Sequence, residues 1–309
     1  MLAIADNNNL MRTSFNYSLF NRFIEYIDAK ESTAKAYTRN IRQFIYYLYD
    51  QNINNPTRED IINYRQCLKD KGLKANTIQN YITSLKIFFA WTEQEGLYNN
   101  IAQHVKGAKV GKEHKKDYLT AKQVKHVLEL VDVTTEQGKR DYAILTLMFT
   151  AGLRTIEVAR ANIEDIQTIA DKRVLYIQGK GKEDKADYVR LVDEVEEAIN
   201  VYLQTRSDKT GTAPLFTSTS NNNKGNRLTT RTISSIVKSA FIKAGYESER
   251  LTAHSTRHTA VTLALLNNNN LEEVKQFARH KNIETTLIYA HNIEKINNTC
   301  SNDIAKSIF

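Results

Sequence analysis

The chain has 309 residues, long for one compact domain and comfortable for two. Hydrophobic residues at 41% and charged residues at 25% allow real cores to be buried, which excludes a tail or linker protein. Lys and Arg number 43 against 35 Asp and Glu, and this net +8 favours a polyanionic partner, with nucleic acid first.

Two cysteines, Cys67 and Cys300, are too few for a disulfide framework and lack zinc-ligand spacing, so they point to a reducing compartment. The N-terminal MLAIADNNNLMR has no basic region leading into an apolar core. The longest apolar runs, Tyr142 to Phe149 and Ala260 to Leu266, fall far short of a membrane span. Together these features predict a soluble, cytoplasmic protein with no membrane contact.

Only Pro56 and Pro214 interrupt the chain, which suits a helix-rich fold. Phe20, Phe23, Ile24 and Ile27 recur at helical spacing, and Ile41, Phe44, Ile45 and Leu48 repeat the pattern after a Ser32/Thr33 start signal. Thr57 and Asp60 form a variant capping box that opens a third helix, which Gly72 ends. Thr77 to Gln94 carries Ile78, Tyr81, Ile82, Leu85 and Phe89 on one face. Residues 15 to 96 therefore read as a four-helix domain. On the last helix Lys74, Thr77, Gln79, Asn80, Thr83 and Lys86 form a polar side that fits either groove contact with DNA or a plain solvated face.

Periodicity fades between Leu97 and Tyr118, where Lys106, Lys109, Lys112, Lys115 and Lys116 face two acidic residues. The expected division is a first domain over 1–105, a basic linker over 106–118 and a second domain over 119–309. The second opens on a Thr120/Gln123 capping box and is mostly helical. One region breaks the pattern: Val174 and Tyr176, a Gly179-Lys180-Gly181-Lys182 turn, then Tyr188 to Val192, which predict a β-hairpin or small sheet. The asparagine runs at 7–9, 221–223 and 267–270 read as loops, since Asn tolerates left-handed backbone at helix ends. No acidic residue occurs from Lys209 to Tyr246, while Lys224, Arg227, Arg231, Lys238 and Lys243 are interleaved with hydroxyls, a composition suited to phosphate contact.

The densest stretch is LTAHSTRHTAVTLALL followed by EEVKQFARHKNIETTLIYAH. On a helix His254, Arg257 and His258 fall at i, i+3 and i+4, hence on one face. Three readings fit that face. A zinc site has the histidine spacing but lacks a central Glu, and Arg257 would repel a dication. The histidines could instead be satisfied within a core. In the third reading Arg257 is a bidentate fork for a phosphate, flanked by imidazole donors.

Five elements in order, TAGLRTIEVARANIEDI, the GKGK hairpin, HSTRH, ARH and Tyr289 nine residues after His280, resemble the tyrosine recombinase/phage integrase family. The resemblance covers roughly residues 15 to 295 and is closest to simple two-domain, Xer-like members. It implies a mainly α fold: an N-terminal four-helix, SAM-like core-DNA-binding domain and a mixed, mostly helical catalytic domain with a small β-sheet. It further implies Arg154 as the first catalytic arginine, Lys180 as the hairpin lysine and His254 with Arg257 as the second-box pair. His280 becomes the third-box histidine, Tyr289 the nucleophile and Glu157 the supporting acid. Lys182 is an alternative to Lys180, and an Arg154–Glu157 surface ion pair is the bland alternative at that spacing.

The chemistry fits such a set. Attack on a phosphodiester gathers charge on the non-bridging oxygens, which two guanidinium forks can hold with imidazole donors beside them. A phenol with an ordinary pKa near 10 needs cationic surroundings or a base to attack at neutral pH, and the leaving 5′-oxygen needs an acid. A 3′-phosphotyrosine keeps the energy of the broken ester, so neither a metal nor a nucleotide cofactor is expected.

By the same resemblance the partner is double-stranded DNA with a specific recombination site, clamped between the two domains. The C-terminal tail with Ile293, Ile296, Ile304 and Ile308 would dock into a neighbouring protomer of a tetrameric synapse, or pack in cis. A type IB-like topoisomerase and a non-enzymatic DNA-binding regulator remain as other readings. One departure stands out: Ala278-Arg279 precedes His280 where the family usually has Leu-Gly, which leaves either an altered turn or an added phosphate contact at Arg279.

Overall fold

The computed structural model describes residues 17–109, 117–179, 181–296 and 298–309, apart from the side chains at 17, 18, 295 and 296. Lys112, Lys115 and Lys116, Lys180, the Asn7 to Asn9 run and the side chain of Ile296 thus lie outside the described residues. Two compact units divide the chain, Met1–Glu113 and His114–Phe309.

Among the described residues, four helices build the first unit: α1 (Tyr17–Ile27), α2 (Glu31–Asp50), α3 (Arg58–Asp70) and α4 (Ala75–Gln94). The Thr57 amide donates to Asp60 Oδ2 at 2.7 Å, so the α3 capping box is formed. After α3 the chain turns at Gly72, whose φ of +73° a side chain would strain. The apolar stripes of these helices meet in an aromatic core. Phe23 packs edge-on against Phe88 with ring centres 5.4 Å apart, and Phe44 packs on Tyr64 at 5.1 Å. Ala102 and Val105 are buried in this same core, so the start of the segment with fading periodicity belongs to the first unit's packing.

The second unit runs α5 (Ala121–Glu129), α6 (Glu136–Ala151), α7 (Thr155–Arg160), a 3-10 turn (Ile163–Asp165), β1 (Ile166–Ile169), β2 (Lys172–Ile177) and β3 (Asp187–Arg190). It continues with α8 (Asp193–Gln204), α9 (Thr230–Lys243), α10 (Ala253–Leu266), α11 (Leu271–Ala278), α12 (Glu284–Ile296) and α13 (Cys300–Ile308). The strands form an antiparallel sheet in the order β1-β2-β3, with Tyr176 paired to Tyr188. The expected hairpin is β2 and β3, although β3 stops at Arg190 because Val192 already caps α8.

From Ala143 to Phe149 every residue of α6 is buried, so this stretch is enclosed on all sides, and the helix packs against α8 and α10. Helix α10 is buried too, despite Ser255, Thr256, Thr259 and Thr262. Its hydroxyls find internal partners: Thr259 Oγ1 accepts from the Leu119 amide at 3.0 Å. By contrast α13 buries no residue. Among the described residues no helix is long and apolar enough to cross a membrane.

Candidate active site

Two helix ends lay the foundation of the site. Helix α6 closes on Gly152 and α11 on Arg279, both in the left-handed conformation, at φ 57° and 54°. The last carbonyls of a helix lack intrahelical donors and carry its negative dipole end. Here they take up an arginine: Arg257 Nη1 donates to the Gly152 carbonyl at 2.7 Å and Nη2 donates to that of Ala278. Only 2% of Arg257 is exposed, so its fork is held rigidly by backbone groups. Burial first, then the nearby Arg154 and Arg279, lower its pKa to about 10, which still leaves it cationic at neutral pH.

A buried carboxylate sits beside it. Glu157 Oε1 accepts from Arg154 Nη1 at 2.8 Å, while Oε2 accepts from the Arg154 amide at 2.8 Å and from Arg279 Nη2 at 3.1 Å. The expected pairing of Arg154 with Glu157 is present, yet Glu157 is 1% exposed, so this is no solvated surface pair. Arg279 is a third guanidinium in the cluster. Three guanidiniums against one carboxylate leave an excess of positive charge that an anion would relieve. Arg154 and His254 also line a groove of about 1030 Å³ together with Lys238, Glu249 and Thr252.

Close to the arginines lies a stack of rings. Tyr289 from α12 packs on His258 at 5.1 Å and on His280 at 6.1 Å, and His258 meets His254 edge-on at 4.7 Å. The spacing of His254 and His258 thus gives one face, on which His254 is exposed and His258 buried. His280 Nδ1 hydrogen-bonds with the buried Thr286 hydroxyl at 2.9 Å. Burial, then Arg257, Arg154, Arg279 and His254, lower the His280 pKa to about 4, so its ring is neutral at pH 7. Tyr289 is 5% exposed, and burial raises its pKa to about 12 against the pull of Arg257 and Arg154. Among the described residues no group of three or more His, Cys, Asp or Glu comes together as a metal site.

Arg154, Glu157, His254, Arg257, His280 and Tyr289 are therefore drawn into one place from three helices and two loops. Lys180 lies outside the described residues, and its neighbour Lys182 pairs with Asp187 at 3.1 Å. In the first unit Lys74, Thr77, Asn80, Lys86 and Lys109 are exposed; in the second, Lys224 and Arg231 are. Arg227 is half-buried. It donates through Nη1 to the carbonyls of Ala159 and Ala161 at 2.9 and 3.0 Å and through Nη2 to Asn162, which commits it to the fold. Lys238 is likewise used internally, donating to the carbonyls of Ser248 and Leu251. Sequence reasoning missed Thr286, whose place three residues before Tyr289 on the same helix face was the available signal.

The sequence matches the phage integrase family over residues 117–295, and the family's N-terminal SAM-like domain over 17–98. The chain belongs to the phage integrase family. It is 28% identical over 290 residues to a tyrosine recombinase of Synechococcus elongatus, covering 89% of each chain. It is 29% identical over 272 residues to the tyrosine recombinase XerD of Staphylococcus haemolyticus, covering 84% of this chain and 88% of that one. In fold it resembles the XerH recombinase in a post-cleavage complex with its difH substrate, at a TM-score of 0.70 and 20% identity over 87% of this chain and 80% of that one. A lambda integrase dimer bound to a core site matches at 0.67 and 18% identity, covering 86% and 95%. As a tyrosine recombinase the chain is a site-specific DNA strand transferase, and DNA is its partner.

Proposed function

We propose that Tyr289 cuts one DNA strand at a time and that the surrounding cations hold the phosphate during the exchange. Tyr289 Oη attacks the scissile phosphorus as the bond to the 5′-oxygen breaks, leaving a 3′-phosphotyrosine and a 5′-hydroxyl. Arg154 and Arg257 clamp the non-bridging oxygens, with His254 beside them as a donor. Burial and then the nearby arginines keep His280 neutral, and the phosphate's charge offsets the arginines' share, so this ring gains proton affinity and receives the phenolic proton. Lys180 protonates the departing 5′-oxygen and Glu157 orients Arg154. A 5′-hydroxyl from a partner duplex reverses the step and completes strand exchange without a metal or nucleotide cofactor. The observation that carries this reading is the stack of Tyr289 on His280 and His258 close to the buried Arg257.

Lys74, Thr77, Asn80, Lys86 and Lys109 serve as the grip of the first domain on duplex DNA, and Lys224 and Arg231 as that of the catalytic domain. The functional division is 1–105, a basic linker over 106–118 and 119–309. The C-terminal helix docks on a neighbouring protomer in a tetrameric synapse, a reading supported by the 59% and 67% exposure of Ile304 and Ile308. Two free cysteines fit a cytoplasmic setting.

The test starts from a random-sequence duplex pool. Sites retained by the protein are rebuilt with a nick beside each candidate phosphate, and the products run on a denaturing gel. A covalent protein–DNA band is expected with the native chain and none with Tyr289→Phe. Absence of the band from every retained site would overturn the reading, and relaxation of supercoils without exchange between two labelled duplexes would make the protein a topoisomerase.

A further inference from the structure

Arg279 stands where a helix end favours glycine. Its φ of 54° and ψ of 44° put it in the left-handed region, which strains a long side chain such as arginine's. The side chain is nonetheless drawn inward and only 9% exposed. Nη1 donates to the Phe277 carbonyl at 2.9 Å and to that of Ala151 at 3.5 Å, and Nη2 lies 3.4 Å from the Gly152 carbonyl. From this backbone cradle Nη2 also donates to Glu157 Oε2 at 3.1 Å. Glycine would supply the turn without strain, so the cap alone gives no reason for an arginine.

The reason lies in how Glu157 is shared. Held by Arg154 alone, this carboxylate could turn and take the Arg154 fork bidentately, spending on an internal pair the nitrogens a phosphate needs. With Arg279 on Oε2, Arg154 reaches Glu157 side chain to side chain through Nη1 alone. We infer that Arg279 is a positioning residue, which pins Glu157 so that the Arg154 guanidinium is fixed and left open towards the scissile phosphate. The inference rests on the recombinase reading above, in which Arg154 meets that phosphate.

Arg279→Gly separates the backbone from the guanidinium, because it relieves the left-handed strain while removing the charge. On the nicked duplex the variant is expected to bind DNA within about twofold of the native chain, whereas covalent-complex formation slows about 10- to 100-fold. Arg279→Lys restores a cation that can reach Glu157 but not the whole cradle, and is expected to recover part of that loss. A DNA-free readout keeps the two readings apart: NMR signals of the Arg154 guanidinium, assigned with Arg154→Lys, should show hindered rotation in the native chain and fast rotation in Arg279→Gly. Cleavage by Arg279→Gly within twofold of native, a lysine variant no better than glycine, or unchanged Arg154 rotation would each overturn the inference. If the native chain forms no covalent complex the recombinase reading fails, and the rotation measurement still decides whether Arg279 positions Arg154. Should Arg279→Gly lose its cooperative melting, Arg279→Asn is read in its place, since Asn tolerates the same backbone without a charge. Loss of fold in both would make Arg279 a folding residue and overturn the assignment.

Discussion

Arg257 Nη1 donates to the Gly152 carbonyl at 2.7 Å, joining residues 105 positions apart in sequence. This contact couples the clamp to the fold, so removing the side chain has two effects. Arg257→Ala should lose about 100- to 1,000-fold in cleavage rate. It should also destabilise the protein by about 1–3 kcal/mol for the Ala278 carbonyl it strips, and leave the Gly152 carbonyl only the long contact from Arg279 Nη2 at 3.4 Å. Denaturant unfolding and single-turnover cleavage on the same preparation measure both.

Tyr289→Phe removes the hydroxyl and keeps the ring. The ring contacts with His258 and His280 remain, so melting temperature and DNA affinity should stay close to native while the covalent band disappears. A band that survives the change would pass the nucleophile's role to another of the sixteen tyrosines.

Arg227 and Arg231 lie four residues apart and should behave differently. Arg231 is exposed, so Arg231→Ala should weaken DNA binding about equally across sequences and lower the salt slope by about 1. Arg227→Ala should instead lower thermal stability, since it strips the Ala159 carbonyl of its side-chain donor and leaves Ala161 with the Leu215 amide alone. A filter-binding salt series and a melting curve tell them apart.

The pH dependence of stability has a sign set by His280. Its folded pKa of about 4 lies below the ordinary 6.5, so between these values the unfolded chain takes up a proton that the folded site refuses. Stability should therefore fall as pH drops from about 6.5 towards 4. His280→Gln should flatten that part of the curve in urea titrations run at each pH.

Ending the chain before α13 should leave the remaining fold intact, because that helix buries no residue. Melting temperature is expected to change by no more than a degree or two. Assembly on DNA is expected to stop at a lower-order complex, as followed by light scattering or native gels. A full tetramer from the shortened chain would sink the docking role of the tail.

Local signals carried much of the architecture. The four N-terminal helices follow from apolar periodicity and from the Thr57/Asp60 box, and α5 from the Thr120/Gln123 box, because these contacts involve residues only three apart. Strand β1 was not legible for a specific reason. The turn that joins it to β2 is Ala170-Asp171, with φ of 45° and 61°, where such two-residue turns usually carry Asn-Gly. The members of the site were legible as residue types at family spacing. Their partners were not, since Gly152 and Ala278 contribute carbonyls, and no residue type announces which main-chain oxygen will face an arginine. Arg279 was legible only as an oddity before His280, and its use emerges from Glu157, over a hundred residues upstream.

A main-chain oxygen has no codon. The cradle beneath Arg257 and Arg279 is made of carbonyls from Ala151, Gly152, Phe277 and Ala278, and no substitution at those positions deletes the acceptor itself. Only a shift of a helix end can do that. Insertions or deletions that change where α6 or α11 stops should therefore harm this site more than most side-chain replacements around it. For engineering, loops can be altered freely only where the two helix termini keep their register.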